Sequence, residues 1–275
     1  MSSRRDRQIG IFDSGVGGLT VMAAIAKLLP NERLVYLGDT ARLPYGTKSA
    51  ETVSRYAVQA TRALMRFDVK LVVVACNTAS AVALPVLAAA LAPVPVIGVV
   101  EPGARAAVAA SRNGHIAVIA TEGTVRGGAY VRAVHALKPD ATVAQKACPL
   151  FVALAEEGWT EGEVPERVAQ RYLREMFEGR EIKPDTLVLG CTHFPIFAEQ
   201  IAKAAGHGVT LVDSAETTAS EVARLLRAQN LERQGAGEAP IFLATDAAER
   251  FARVGSLFLG RAIDTAQVEL VDLAP

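Results

Sequence analysis

The chain contains 275 residues, of which 51% are hydrophobic, 21% are charged and only 5% are aromatic. Its 29 basic residues balance its 29 acidic residues, so it lacks the general charge signature of a protein that binds nucleic acid or an anionic membrane surface. The apolar content excludes a disordered chain, and the length allows one large domain or two modest ones.

Short apolar segments alternate with helical stretches along the chain. The predicted strands are 9–12, 34–37, 71–75, 94–100, 116–120, 142–147, 187–189, 209–212 and 241–244. The clearest predicted helices are 19–29, 50–67, 124–137, 163–177 and 215–229, and 234–239 is predicted to be an exposed loop before a final strand and helix. Nearly continuous apolar strands separated by helices are typical of parallel sheets buried on both faces. The sequence therefore predicts the α/β class.

The longest uncharged stretch runs from residue 71 to residue 100. It is long enough to suggest a membrane span, but Asn77, Thr78 and three prolines divide it into short apolar blocks. We interpret it as strand, loop, helix and strand. The basic N-terminus soon reaches the polar pair Asp13 and Ser14, which leaves no apolar core for a signal peptide, so neither export nor a membrane partner is expected.

The cysteines Cys76, Cys148 and Cys191 form an odd set without a Cys-x-x-Cys motif, so a disulfide framework is not expected. Free thiols suit a reducing compartment, and we expect a cytoplasmic protein.

Two predicted strands end in similar sequences. No linker rich in Gly, Pro or Ser divides the chain into domains. The apolar segment 72–75 ends at Cys76, the apolar segment 187–190 ends at Cys191, and small polar residues follow in both cases. Two similar α/β halves would explain this internal sequence similarity. They would place a site in the cleft between them, because ligands of open parallel sheets bind beyond the carboxyl ends of the strands.

Four polar segments follow predicted strands and should meet at that cleft: 13–18, 38–40 with its continuation to 46, 76–78 and 191–193. In the first, Gly15, Gly17 and Gly18 can expose main-chain amides at the start of a helix, which suits an anion. No glycine completes a dinucleotide fingerprint and no Walker lysine follows. The alternative interpretation is that Asp13 or Ser14 only caps the helix.

The three cysteines differ in their sequence surroundings. Cys148 fits a small hydrophobic residue in a packed interior. Cys76 and Cys191 stand among hydroxyl, amide or imidazole groups that can stabilise a thiolate. Asp13 near one thiol and His193 near the other can accept or orient a proton, although His193 by its type alone fits an ordinary core or surface residue equally well.

Three chemistries use thiols in a cleft. A metal site needs a larger ligand set than Cys-x-His with one distant cysteine, so no metal is expected. Nucleophilic hydrolysis needs one cysteine and a histidine and leaves the second cysteine unexplained. Acid–base catalysis on opposite faces of one carbon atom needs one protonated and one deprotonated group, which a matched pair of thiols supplies. This third chemistry uses every feature, and we favour it.

The four segments together resemble the glutamate racemase family of the aspartate/glutamate racemase superfamily. The motifs that carry the resemblance are Phe-Asp-Ser-Gly-Val-Gly-Gly-Leu-Thr at 12–20, Gly-Asp-Thr at 38–40 with Leu-Pro-Tyr-Gly at 43–46, Ala-Cys-Asn-Thr-Ala at 75–79 and Gly-Cys-Thr-His-Phe-Pro at 190–195. The resemblance extends from Ile9 to the vicinity of Asn230. It implies cofactor-independent racemisation of L-glutamate to D-glutamate for peptidoglycan synthesis, carried out by a homodimer.

The resemblance also implies a fold and a set of site residues. The expected fold is two pseudo-symmetric parallel-sheet α/β domains, 1–99 with 215–275 and 100–214, with the active site in the cleft between them. Cys76 and Cys191 match the two catalytic thiols, and Asp13 and His193 match their assistants. Residues matched to substrate binding are Asp13, Ser14, Tyr45, Gly46, Asn77, Thr78, Thr121, Thr124, Glu156 and Thr192. Ala153 stands where family members commonly have proline.

Apart from the histidine, the four polar segments contain one basic side chain, that of Arg42. Hydroxyls, main-chain amides and the Asn77 amide should therefore hold a dicarboxylate. The lysines, Lys70 among them, fit surface or helix-end positions, and neither pyridoxal phosphate nor another cofactor is expected. Two alternatives stay open. An aspartate or other amino-acid racemase would differ in pocket size, and a non-enzymatic small-molecule-binding protein would tolerate loss of both thiols.

Overall fold

The computed structural model describes residues 3–179 and 181–273, which form two parallel sheets flanked by helices. The ten strands of this part of the chain are β1 (Gln8–Asp13), β2 (Leu34–Gly38), β3 (Val69–Val74), β4 (Val96–Gly98), β5 (His115–Ala120), β6 (Thr142–Ala147), β7 (Thr186–Gly190), β8 (Thr210–Asp213), β9 (Ile241–Ala244) and β10 (Val268–Leu270). Its twelve α-helices are α1 (Leu19–Leu28), α2 (Ala50–Leu64), α3 (Asn77–Val82), α4 (Leu84–Leu91), α5 (Val100–Ala110), α6 (Glu122–Gly127), α7 (Ala129–Leu137), α8 (Pro149–Glu157), α9 (Glu163–Phe177), α10 (Ala198–Ala205), α11 (Ser214–Ala228) and α12 (Ala248–Leu259).

The strands of each sheet all run parallel. The first sheet has the order β10-β9-β2-β1-β3-β4, and the second has the order β6-β5-β7-β8. The predicted α/β class with two parallel sheets is confirmed. Strands of the first sheet come from 8–98 and 241–270, and those of the second come from 115–213. The domain borders at 99/100 and 214/215 stay a prediction, and residues 1, 2, 180, 274 and 275 of those domains lie outside the described residues.

Helices cover the sheets, which explains the apolar strands. Every residue of β3 and β7 is buried, as expected for central strands with both faces covered. Helix α11 follows the last strand of the second sheet and packs against both α1 and α5. The chain then returns through the exposed segment 234–239, as predicted, to add β9 and β10 to the first sheet.

Lys70 corrects the expectation that the lysines lie at the surface. It is buried in β3, its Nζ lies 2.6 Å from Oε2 of Glu32, and it donates to the main-chain oxygens of Arg5 and Leu231. Burial lowers the pKa of Lys70. The charge is tolerated because these oxygens surround it, and the cluster ties β3 to both the N-terminal segment and the segment after α11.

Several predicted limits are wrong for local reasons. The predicted strand 94–100 is shorter, because β4 ends at Gly98 and α5 already begins at Val100. The predicted helix 124–137 is two helices, α6 and α7, because Gly128 between them has a φ of +60°, a left-handed conformation that ends a helix. The predicted elements do not include α5, α8, α10 and β10, because short segments carry little periodic signal.

The uncharged stretch 71–100 folds mainly as β3, α3, α4 and β4. The sequence predicts one helix there, but two form, since Pro85 in the first turn of α4 has no main-chain N–H with which to continue α3. Within residues 3–179 and 181–273, no helix is both long and apolar enough to cross a membrane.

Candidate active site

A narrow cavity lies beyond the carboxyl ends of strands from both sheets. Segments that follow β1, β2 and β3 line one part, and segments that follow β5 and β7 line the other. Its volume of about 30 Å³ leaves room for little more than a water molecule, so the segments that line it lie close together. A wider cavity of about 310 Å³ lies next to it and shares Leu43, Pro44, Gly46, Thr121 and Val152 as lining.

Most of the predicted site residues line the narrow cavity: Ser14, Tyr45, Gly46, Cys76, Asn77, Thr78, Thr121, Cys191, Thr192 and His193. Asp13, Thr124 and Glu156 are outside the lining and contact or neighbour residues that belong to it. The structure thus brings the four polar segments together, while the contacts of these residues with substrate stay a prediction.

Cys76 is the N-cap residue of α3 and lies two residues after the end of the buried strand β3. Its Sγ lies 3.5 Å from Oγ of Ser14 and accepts a hydrogen bond from the main-chain N–H of Ala79, also at 3.5 Å. Burial, reinforced by the nearby carboxylate of Asp13, raises the pKa of Cys76 to about 12. This site therefore favours a protonated thiol.

Asp13 lies at the end of β1 and is fully buried. Its Oδ2 accepts a hydrogen bond from the N–H of Gly15 at 2.9 Å, and its Oδ1 has no hydrogen-bond partner among the described residues. Burial raises the pKa of Asp13. The N-cap residue of α1 is Gly18, so neither Asp13 nor Ser14 stands at the N-cap position of this helix. The catalytic role of Asp13 stays a prediction.

Cys191 follows β7 and has a different set of partners. Its Sγ lies 3.9 Å from Nδ1 of His193, and Nε2 of His193 lies 2.9 Å from Oε1 of Glu156. Burial opposes a charge on the imidazole, but the hydrogen bonds to Cys191 and Glu156 raise the pKa of His193 to about 10. The pKa of Glu156 is lowered: burial would raise it, but His193 and Arg250 outweigh that effect. The group is therefore an imidazolium between a sulfur and a carboxylate.

A hydroxyl cluster lies on the lining between the two sheets. The hydroxyls of Thr78 and Thr121 are 2.9 Å apart, and those of Thr121 and Thr124 are 3.1 Å apart. Asn77 next to them donates through Nδ2 to the hydroxyl of Tyr130 at 2.8 Å, whereas its buried Oδ1 has no partner among the described residues. Such a group can bind carboxylate oxygens through hydroxyls and can accept from an ammonium group through the amide.

Arg42 points its guanidinium at Asp39 and Gln59, at 2.7 and 2.6 Å. The hydroxyl of Tyr45 donates to the same Asp39 carboxylate. Burial, with the adjacent Asp39 carboxylate, raises the pKa of Tyr45, so it remains a neutral phenol. Arg42 is therefore a support for the Tyr45 loop and not part of the cavity lining.

Two glycines allow loops of the two halves to approach each other. A Cβ atom at Gly17 would lie 2.5 Å from Nδ1 of His193, and a Cβ atom at Gly46 would lie 2.7 Å from Cβ of Thr121. Distances this short are forbidden to real side chains, so only glycine permits the closed cavity.

Some residues at the site were not among the predicted site residues. Gly15, Leu43, Pro44 and Val152 line the cavity beside the predicted residues. The first three lie inside the motifs, where adjacency could have suggested them. Arg250, which contacts Glu156, has no sequence signal, because it lies far along the chain. In the part of the chain that the structure describes, no group of His, Cys, Asp and Glu side chains is arranged to hold a metal ion.

An α/β protein with a closed polar cavity between the carboxyl ends of two parallel sheets is of the class that acts on small molecules. Residues 9–222 match the family model for Asp/Glu/Hydantoin racemase, and the chain belongs to this family. It is a racemase, and hence an isomerase.

Individual relatives agree with this assignment. A glutamate racemase of Geobacter metallireducens is 51% identical over 96% of this chain and 97% of its own length. The crystal structure of glutamate racemase isoform RacE1 from Bacillus anthracis has a TM-score of 0.92 and 37% identity, and that of the Francisella tularensis glutamate racemase in complex with D-glutamate has a TM-score of 0.90 and 36% identity. Each of these two comparisons covers 98% of both chains. The resemblance to the glutamate racemases is confirmed.

Proposed function

We propose that this racemase interconverts L-glutamate and D-glutamate without a cofactor, by acid–base catalysis with Cys76 and Cys191. The single observation that carries the mechanism is that one cavity receives one thiol from each sheet, each with its own proton-handling partner. Relatives named glutamate racemase, one of them crystallised with D-glutamate, support the choice of substrate.

The polar groups of the cavity support an amino-acid dicarboxylate. Oδ1 of Asp13 and Oδ1 of Asn77 are buried acceptors without partners among the described residues, and leaving such atoms unpaired is costly. An ammonium group within reach of either atom would satisfy it. The hydroxyls around Thr78 and Thr121 then suit a carboxylate at the other end of the substrate.

In the direction from L to D, Cys191 acts as the thiolate of a thiolate–imidazolium pair with His193 and removes the α-proton. Cys76, with its pKa raised to about 12, is a protonated thiol and delivers a proton to the opposite face. Asp13 lies near Cys76 and can relay the replacement proton. The developing negative charge on the substrate is stabilised by fixed donors in a cavity that excludes water. Roles reverse in the other direction.

This scheme moves only protons, and the two thiols supply both proton sites, so we propose that neither a metal ion nor pyridoxal phosphate takes part. Activity should therefore survive exhaustive dialysis against a chelator.

The same proposal extends to the cellular role: D-glutamate supply for peptidoglycan, in the cytoplasm, by a homodimer. D-glutamate supply for peptidoglycan and the homodimer are what the resemblance to the glutamate racemase family implies. The three cysteines are free and buried, and a mechanism that depends on reduced thiols suits a reducing compartment. Cells depleted of the protein should need added D-glutamate to grow, and sedimentation velocity should give the mass of a dimer.

The test of the central proposal is turnover of L-glutamate, L-aspartate, L-alanine and L-serine by the dialysed protein, followed by circular dichroism of the substrate. We expect only glutamate to lose its optical activity at an appreciable rate, because the relatives that match this chain over nearly its whole length are named glutamate racemases. Faster turnover of aspartate would overturn the substrate assignment. Activity that zinc or pyridoxal phosphate restores to an inactive dialysed protein would overturn the mechanism.

A further inference from the structure

The carboxylate of Glu156 is shared between two partners. Its Oε1 lies 2.9 Å from Nε2 of His193, and its Oε2 lies 3.3 Å from Nη2 of Arg250. The Glu156 side chain is only 8% exposed, whereas that of Arg250 is 45% exposed. The contact to Arg250 therefore forms at the edge of the site, and the contact to His193 forms inside it.

The two ends of this chain of contacts belong to different sheets. Glu156 lies on α8, between β6 and β7 of the second sheet, and His193 follows β7. Arg250 lies on α12, between β9 and β10 of the first sheet. The guanidinium also approaches the main-chain oxygen of Glu156, at 3.4 Å, and Oε1 of Glu157, at 3.8 Å. Arg250 thus joins the two halves at the wider cavity that adjoins the site.

Arg250 restricts the rotation of the Glu156 carboxylate. A carboxylate with one bound oxygen can turn about its last side-chain bond, but a carboxylate held at both oxygens has a fixed plane. That plane determines where Oε1 meets His193, and hence how the other imidazole nitrogen meets Cys191. Arg250 itself touches neither the thiol nor the lining of the narrow cavity.

We infer that Arg250 is a positioning residue that acts, through Glu156 and His193, on proton transfer at Cys191 and not on proton transfer at Cys76. The inference rests on the proposed function. The partners of Cys76 are Asp13, at the end of β1 in the first sheet, and Ser14, directly after it, and neither has a hydrogen bond or an ion pair with Arg250 among the described residues.

Steady-state racemisation cannot separate the two thiols. The enantiomers have equal free energy, so kcat/KM must fall by the same factor in both directions. A glutamate analogue with a leaving group on the β-carbon separates them. After a thiolate takes the α-proton, the electron pair of the broken C–H bond forms a C=C bond, and the leaving group departs with its own electron pair. The L-analogue then reports Cys191, and the D-analogue reports Cys76.

The experiment compares wild-type protein with R250M, R250K and the control R253M. Arg253 is an exposed arginine on the same helix as Arg250, and it has no ion pair among the described residues. We expect R250M to lower elimination from the L-analogue about tenfold, as loss of a charge-assisted contact to a carboxylate would, and to leave elimination from the D-analogue unchanged. R250K should restore part of the loss, because it returns the charge but not the planar fork. R253M should leave both reactions unchanged.

Equal losses with both enantiomers would overturn the inference, since they would indicate a general role in closing the cleft or in folding. So would a rise in KM for both enantiomers at constant kcat, which would indicate capture of substrate by Arg250. Absence of any effect in R250M would overturn it as well. Failure of the proposed function is distinct from these outcomes, because the wild-type protein itself would then not racemise glutamate.

Discussion

Cys76 and Cys191 occupy similar positions, each within two residues of the end of a buried parallel strand, yet their nearest ionisable neighbours differ: a carboxylate for Cys76 and an imidazole for Cys191. Burial, reinforced by the nearby carboxylate of Asp13, raises the pKa of the Cys76 thiol to about 12, and the neutral hydroxyl of Ser14 lies 3.5 Å from its sulfur. The Cys191 thiol has an imidazole whose pKa is raised to about 10, backed by a carboxylate. A similar backbone arrangement therefore places the two thiols beside different partners.

That difference suits a racemase. A catalyst that works on two faces of one carbon atom needs one acid and one base at the same moment, and two identical thiols in identical surroundings would not provide them. The neighbours, not the cysteines, distinguish the two sites. The predictions below test this asymmetry, from the largest expected effect to the smallest.

Removal of either thiol is the strongest test. We expect Cys76→Ala and Cys191→Ala each to lower racemisation by more than about 10³-fold, because both proton sites are required. With the β-substituted analogue, Cys76→Ala should still process the L-enantiomer and fail on the D-enantiomer, and Cys191→Ala should show the reverse. If both variants handled the same enantiomer, the cysteines could not be facing bases, and a single-base mechanism would replace the one proposed.

Gly17→Ala tests the close contact between the loop that carries Gly17 and the loop that carries Thr192 and His193. The new Cβ would lie 2.5 Å from His193 and 2.6 Å from Oγ1 of Thr192, so the loop carrying Cys191 must move. We expect about a 100-fold loss of kcat, the effect of a displacement of the order of 1 Å at a catalytic group. Gly127→Ala is the matched control, because a Cβ there has 3.9 Å to its nearest neighbour. Full activity of Gly17→Ala would show that the cavity is not closed in the working enzyme.

Glu156→Gln removes the carboxylate charge beside His193, and the free energy of unfolding measures the result. The pKa of His193 is higher in the fold, at about 10, than its ordinary value of 6.5, so its pairing stabilises the protein fully below pH 6.5 and is lost as the pH rises through about 10. The variant should therefore lower the free energy of unfolding by about 2 kcal/mol in mildly acidic buffer and by progressively less toward the alkaline end. Urea denaturation across this range measures it, with the exposed Glu249→Gln as control. A deficit that does not change with pH would contradict the raised pKa.

Cys148→Ser should have the smallest effect on activity. Cys148 is fully buried before α8 and lies outside the cavity lining, and its Sγ contacts the main-chain oxygen of Lys146 at 3.7 Å. Serine can keep that contact, so we expect a stability cost of about 1 kcal/mol and retention of most of the activity. A loss as deep as that of Cys76→Ala in a protein still folded by circular dichroism would mean that a third thiol takes part.

The sequence alone determined the fold class and most of the cavity lining. Buried parallel strands are encoded in continuous apolar segments, and parallel strands place their carboxyl ends at one edge. The polar residues that follow β1 and β3 therefore had to lie at one edge of the first sheet, and those that follow β7 at the corresponding edge of the second, wherever the helices ended. Helix limits were less predictable, as Gly128 and Pro85 illustrate, because a single residue decides whether a helical pattern continues.

Only the tertiary structure decided what surrounds each thiol. Glu156 meets His193 across 37 residues of sequence, and Arg250 meets Glu156 across 94. No local pattern encodes such contacts, because they depend on how the helices of one sheet pack beside those of the other. Burial likewise belongs to the whole fold, and it raises the pKa of Cys76 and places Lys70 inside the protein. The sequence thus specified which groups follow the strands, and the packing of the two halves specified the partners and the burial of each group.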